Sequence, residues 1–328
     1  MNTNDLIAFG GLDTFCTDSV ALRKKQIEGG FLLHTCNDYG ESLEVISTAA
    51  KECQIRPRLI LKTYFNYPDT SNRRFRPILE QIEEALTRLN HEYDELILQC
   101  SCFYPANVIT GEKIIDFCSY LKNEFGISKY FFEACGIYKY LWPDFVLMKK
   151  RLGNDFFIGL AGYQNFYNRT FSERDISFFK SHAIPICQIG FLGKGKKDRN
   201  TAHLLEDNSN LAPNLNNYLL GNIAYLIENI KEQEGSIGVT SVSSPAKYEQ
   251  LMQFVSVVLD MGSSERAQLL QQMAASGNIN YFFEDHYGGV LRFNKLSRQP
   301  KLIIKRLSDI NRRRKMDPFL TDKYDEKS

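Results

Sequence analysis

Short apolar and β-branched runs alternate with longer amphipathic stretches from the start of the chain to about residue 260. Eight runs read as strands: Leu6–Phe9, Gly30–Thr35, Leu59–Thr63, Glu95–Cys100, Lys129–Ala134, Phe156–Ala161, Pro185–Ile189 and Ile237–Val242. Helices are expected around 18–28, 42–54, 75–90, 111–123, 138–151, 172–181 and 215–233, with an eighth around 246–260. The clearest is ILEQIEEALTRL. Its Ile78, Leu79, Ile82, Ala85, Leu86 and Leu89 fall on one stripe with Glu and Arg opposite, the pattern of a helix that packs one face on a sheet. Start signals agree: Thr17 and Ser172 precede helical patterns, and Asp175 three residues after Ser172 makes a capping-box variant. Eightfold strand–helix alternation marks a parallel barrel or a doubly wound sheet, and the count does not choose between them.

Two regions break the rhythm. Residues 192–214 are polar and rich in Gly and Lys, in the place of a long loop after the seventh strand. Beyond Ser263 come one more helical stretch, the segment NINYFFEDHYGGVLRF and a basic run, KRLSDINRRRKM, which reads as a solvated helix face. One domain is therefore expected over residues 1–262, followed by a C-terminal helix and irregular basic tail over 263–328.

Charge then narrows the partners. The 40 Lys and Arg against 39 Asp and Glu leave a net charge of +1, which gives no reason to expect nucleic acid or an anionic membrane. No apolar stretch approaches the roughly 18 residues of a membrane span. The 8 cysteines are scattered, and no basic-plus-apolar leader opens the chain, so reduced thiols and a cytoplasmic location are expected.

Function in a barrel belongs at the C-terminal ends of the strands. The second run ends in LLHTCNDYGES, the third in LILKTYF, the fourth in ELILQCSCFYP and the seventh in ICQIGF. These segments resemble the aldo-keto reductase superfamily, whose second strand ends D-T-A-x-x-Y-G and whose third ends in Lys, usually followed by Thr. Thr35, Tyr39, Gly40, Lys62 and Thr63 match. The likeness continues through ALTRLNHEYDELIL, Phe156–Ala161, Cys187–Phe191 and SVSSPAKYEQL, in order from about residue 6 to 260; the tail beyond 277 lies outside it.

The resemblance implies a (β/α)8 TIM barrel that binds NADP or NAD without a Rossmann motif. It implies hydride transfer to or from a small carbonyl or sugar-like substrate, with Tyr39 as acid-base. A phenol with a pKa near ~10 is a poor acid-base group at neutrality, so the Lys62 ammonium is needed beside it. The family pairs that Lys with an Asp and orients the carbonyl with a His; position by position, His34 stands for the Asp and Cys100 for the His. A neutral imidazole supplies no counter-charge to Lys62, and a thiol is a weak donor.

For the cofactor, the resemblance puts Gln188 at the carboxamide, Phe191 on the nicotinamide ring, and Ser243, Ser244 and Lys247 at the 2′-phosphate. Ala161 and Gly162 replace the family's Ser-Asn pair. A helix N-terminus carrying two serines is suited to an anion, although Ser before Pro is equally a good cap.

Three alternatives stay open. His34 and Cys36 with Cys100 and Cys102, each i and i+2 at a strand end, are soft ligands that would suit zinc, but the spacing is not a common one and no metal is expected. Cys100 with His34 as base would make a reactive thiol. A catalytically silent barrel, kept as a binding or assembly subunit with a protein partner, would follow from the replaced catalytic positions.

Overall fold

The computed structural model describes residues 2–10, 18–64, 67–68, 75–76, 78–103, 112–134, 142–192, 212–276, 280–283 and 291–292. Eight parallel strands close into a barrel: β1 (Ile7–Gly10), β2 (Leu32–Thr35), β3 (Arg58–Tyr64), β4 (Glu95–Phe103), β5 (Lys129–Ala134), β6 (Phe157–Tyr163), β7 (Ile186–Ile189) and β8 (Ile237–Thr240). β8 returns to β1, with Ala8 opposite Val239, which abolishes sheet edges. The connecting helices are α1 (Ser19–Glu28), α2 (Ser42–Cys53), α3 (Ile78–Arg88), α4 (Glu112–Phe125), α5 (Trp142–Leu152), α6 (Glu173–Ser181) and α7 (Ala212–Ile230), and α8 (Pro245–Asp260) follows β8. This is the (β/α)8 TIM barrel, not the doubly wound sheet.

Alternation of side chains along each strand divides the core into two shells. The inner plug takes Ala8, Leu32, Ile60, Ile97, Phe131, Ala161 and Cys187 from β1 to β7 in turn, and Ile237 with Val239 from β8. The outer shell joins the other strand face to the helices; in α3, Ile78, Ile82, Ala85 and Leu86 are buried, as the stripe requires. β4 and β6 run further than their apolar runs, to Phe103 and Tyr163.

The ends of the elements follow their local chemistry. Ser172 caps α6 by accepting the Asp175 N–H, while the Asp175 carboxylate accepts the Ser172 N–H, so the box forms in both directions. Thr17 lies outside the described residues.

A further helix, α9 (Ser263–Ser276), packs on α7. The contact is close: a Cβ at Gly221 would sit 1.7 Å from the Met273 sulfur. Past it, Asn280–Phe283 pairs in parallel with Asn168–Arg169 and antiparallel with Leu291–Arg292, so part of the tail expected to be irregular forms strands. Among the described residues no helix is long and apolar enough to cross a membrane.

Candidate active site

Two residues beyond the plug, the inward positions change character. Gly10, His34, Lys62, Gln99, Glu133, Tyr163 and Ile189 form the next layer toward the C-terminal mouth, each two places past its strand's plug residue. Gly10 is required there: a Cβ would lie 2.8 Å from Nδ1 of His34 and 3.0 Å from its carbonyl oxygen.

The polar members of the layer are linked. Nε2 of His34 lies 2.9 Å from Oε1 of Gln99, whose Nε2 donates to Oε2 of Glu133 at 2.9 Å. The same carboxylate oxygen is 3.4 Å from Nζ of Lys62, and the two side chains are 1% and 12% exposed, so this ion pair is largely shielded from solvent. Lys62 therefore has a carboxylate partner, delivered by β5 and not by β2.

Burial, followed by the charge of Lys62, brings His34 down to about 4, against the opposing effects of Gln99 and Glu133. The imidazole is thus neutral around pH 7.

Tyr39 sits in the turn after β2, with its ring centroid 6.0 Å from that of His34. The turn is tied down from α3. Arg88 donates to the carbonyl oxygens of Asn37 at 3.1 Å and Gly40 at 2.8 Å, and it grips both oxygens of Glu44 in α2. Asn37 in turn donates to the Gln81 carbonyl at 2.8 Å. A phenol on an unrestrained turn would not hold a fixed position against His34; this one is clamped between two helices.

Cys100 is placed elsewhere. Its side chain is in the outer shell with Leu98 and Phe132, fully buried, and loss of solvation pushes the thiol up to about 12. The strand-four residue at His34 is Gln99. Because His34 and Cys100 point to opposite sides of the barrel wall, they cannot share a metal, and the thiolate needed for nucleophilic chemistry is strongly disfavoured. Cys36 is similarly raised to about 12 by burial. The side chain of Cys102 lies outside the described residues.

The cofactor candidates divide into two groups. At the N-terminus of α8, the Ser244 hydroxyl accepts the Lys247 N–H at 3.3 Å, and Nζ of Lys247 donates to the Ser243 hydroxyl at 2.9 Å. With two half-buried hydroxyls, an exposed ammonium and the positive end of a helix dipole, this end is suited to an anion such as phosphate. Gln188 falls between the inward Cys187 and Ile189, hence on the outer face, with neither amide atom hydrogen-bonded among the described residues. Phe191 is also in the outer shell, fully buried, where a Cβ on Gly238 would touch both its ring and Leu226 of α7. Neither lines the mouth in this arrangement.

The opposite, N-terminal end of the barrel opens into a cavity of about 1180 Å³ floored by Leu32, Ile97, Phe131 and Phe157. On its rim, Arg58 and Lys129 are both paired with Glu95, and no predicted site residue reaches it.

Glu133, Gln99 and Arg88 are absent from the sequence-derived set. A signal for the first existed: a lone acid closing the aromatic run KYFFEA, two places past the inward Phe131.

No protein-family model matches the chain, and no curated protein does. Solved structures do. An aldo/keto reductase from Klebsiella pneumoniae, in complex with NADP and acetate, superposes with a TM-score of 0.56 at 16% identity over 81% of this chain and 90% of that one. The holo form of an aldo-keto reductase from Bacillus halodurans gives a TM-score of 0.56 at 16% identity over 85% and 96%. A third, from a Medee basin deep-sea metagenome library, gives 0.53 at 13% identity over 86% and 94%. Barrel closure, element order and these superpositions together establish that the chain has the fold of the aldo-keto reductases.

Proposed function

We propose that this protein is a divergent member of the aldo-keto reductase superfamily: a cytoplasmic, nicotinamide-dependent oxidoreductase acting on a small carbonyl or sugar-like substrate. The observation that carries the reading is the Lys62 ammonium at the mouth, in the same layer as His34, against whose ring Tyr39 stands. Structures with this fold hold NADP in one case and are holo in another, which supports the same cofactor class here.

The nicotinamide, when bound, supplies or accepts the hydride. The protein's part is the proton. As a carbonyl carbon is reduced, negative charge develops on its oxygen, and the Tyr39 hydroxyl donates its proton there. The phenolate left behind is stabilised by the Lys62 ammonium. Oxidation of an alcohol runs the same transfer backwards. Ser243, Ser244 and Lys247 hold the cofactor's phosphate; because Lys247 is a point charge without the guanidinium fork, selection for the 2′-phosphorylated form is weaker than an Arg would give.

A screen of aldehydes, ketones and aldoses, following NADPH and NADH consumption, tests the proposal. Tyr39→Phe should reduce turnover of any substrate found by at least about a hundredfold, in line with general acid catalysis. Activity retained in Tyr39→Phe removes Tyr39 from the proposed role. One observation favours a silent barrel used as a binding subunit: Gln188 and Phe191 face the helices. That reading predicts no consumption of either cofactor with any carbonyl compound.

A further inference from the structure

We infer that Glu133 is the positioning residue of this site: from the fifth strand it holds the Lys62 ammonium and, through the Gln99 amide, fixes His34 as a neutral imidazole with its proton on Nε2. Its part in proton transfer rests on the proposed roles of Tyr39 and Lys62; the geometry does not.

A carboxylate only accepts hydrogen bonds, so Gln99 must turn its NH2 group toward Glu133, and the 2.9 Å contact is N–H···O. The Gln99 carbonyl oxygen is thereby left facing His34 at 2.9 Å, and a carbonyl oxygen also only accepts. The proton in that contact has to come from the imidazole, which sets the tautomer: Nε2 carries hydrogen and Nδ1 a lone pair. Each member is fixed by the next, and the whole chain is buried, with Gln99 0% and His34 3% exposed.

Charge points the same way. Lys62 and Glu133 cancel, whereas an imidazolium would add a further buried cation beside Lys62 and within the field of the buried Arg23. A ring in this tautomer has no proton to donate through Nδ1. Tyr39, in the turn beside the layer, is then the acid, and the imidazole is an acceptor. A histidine from β2 and an acid from β5, bridged by Gln99 of β4, thus supply the two kinds of group that the resemblance assigns to β4 and β2.

Two measurements test this without any substrate or cofactor. The first is the pH dependence of trace acetylation at Lys62, read by mass spectrometry in the wild type, Glu133→Gln and Glu133→Asp. Removing an opposite charge at this range should lower the labelling midpoint of Lys62 by about 1–3 pH units, with most of the shift recovered in Glu133→Asp. An unchanged midpoint in folded Glu133→Gln overturns the inference. The second needs no variant and decides the matter if Glu133→Gln does not fold: nitrogen-15 NMR of wild-type His34 at pH 7 should show hydrogen on Nε2 and none on Nδ1. The other tautomer, or an imidazolium, overturns it. Absence of cofactor binding would count against the oxidoreductase reading alone, since neither readout depends on it.

Discussion

His34 is a titratable group in a place that penalises its charge, and this should be visible in stability. Burial leads, and the charges of Lys62 and Arg23 add to it, while Gln99 and Glu133 oppose; the balance takes the ring from 6.5 to about 4. Between those two values the unfolded chain binds the proton more readily, so stability is fully present above about pH 6.5 and falls as the pH is lowered toward 4. The loss expected from this one group is roughly 3 kcal/mol, at about 1.4 kcal/mol per pH unit. Urea unfolding at pH 7 and 4.5 measures it, and His34→Gln should flatten the difference; an equal slope in the variant would assign the effect to other groups. Gly10 offers a steric test of the same layer. An added methyl would meet both the ring and the backbone oxygen of His34, and the latter cannot rotate away, so Gly10→Ala should cost about 1–3 kcal/mol in thermal unfolding.

At the scale of elements, the fourth strand shows where reading a sequence succeeds and where it slips. The apolar runs and helical stripes located all eight strands and the helices around them, because burial of one face leaves a period that survives in the sequence. Face assignment at Gln99 and Cys100 is a question of parity, and a slip of one residue moves a side chain through the barrel wall. In ELILQC the consecutive Leu96, Ile97 and Leu98 give no apolar–polar alternation to mark the inward face, whereas pairing of Lys62 with Gln99 in the ladder fixes it. The consequence for thiols is measurable. Alkylation of the native protein at pH 8 should modify the partly exposed Cys53 well before the buried Cys36, Cys100 and Cys118, and early modification of Cys100 would contradict its outward, solvent-free position. Glu133 escaped notice because a single acid has no period, and Arg88 because its role depends on contacts far along the chain. Removing that guanidinium leaves the Asn37 and Gly40 carbonyls without their donor from α3. Arg88→Ala should therefore speed amide exchange in the turn that carries Tyr39 while leaving the strands protected.

For the molecule as a whole, the closed barrel and the α9 helix laid against α7 give the frame, with the polar layer at one end and the Arg58–Glu95–Lys129 rim at the other. Everything proposed about chemistry requires that the polar end take a nicotinamide dinucleotide. A ligand that binds only the folded chain stabilises it by about 2.7 kcal/mol at a hundred times its dissociation constant, so binding should also raise the thermal midpoint. The most direct measurement is calorimetric titration of the wild-type protein with NADPH and NADH, alongside Lys247→Ala. The account predicts saturable 1:1 binding of at least one cofactor, with NADPH weakened about tenfold or more in the variant and NADH little changed, in keeping with loss of one charge-assisted phosphate contact. No heat and no shift in thermal midpoint with either cofactor up to millimolar concentration would contradict it.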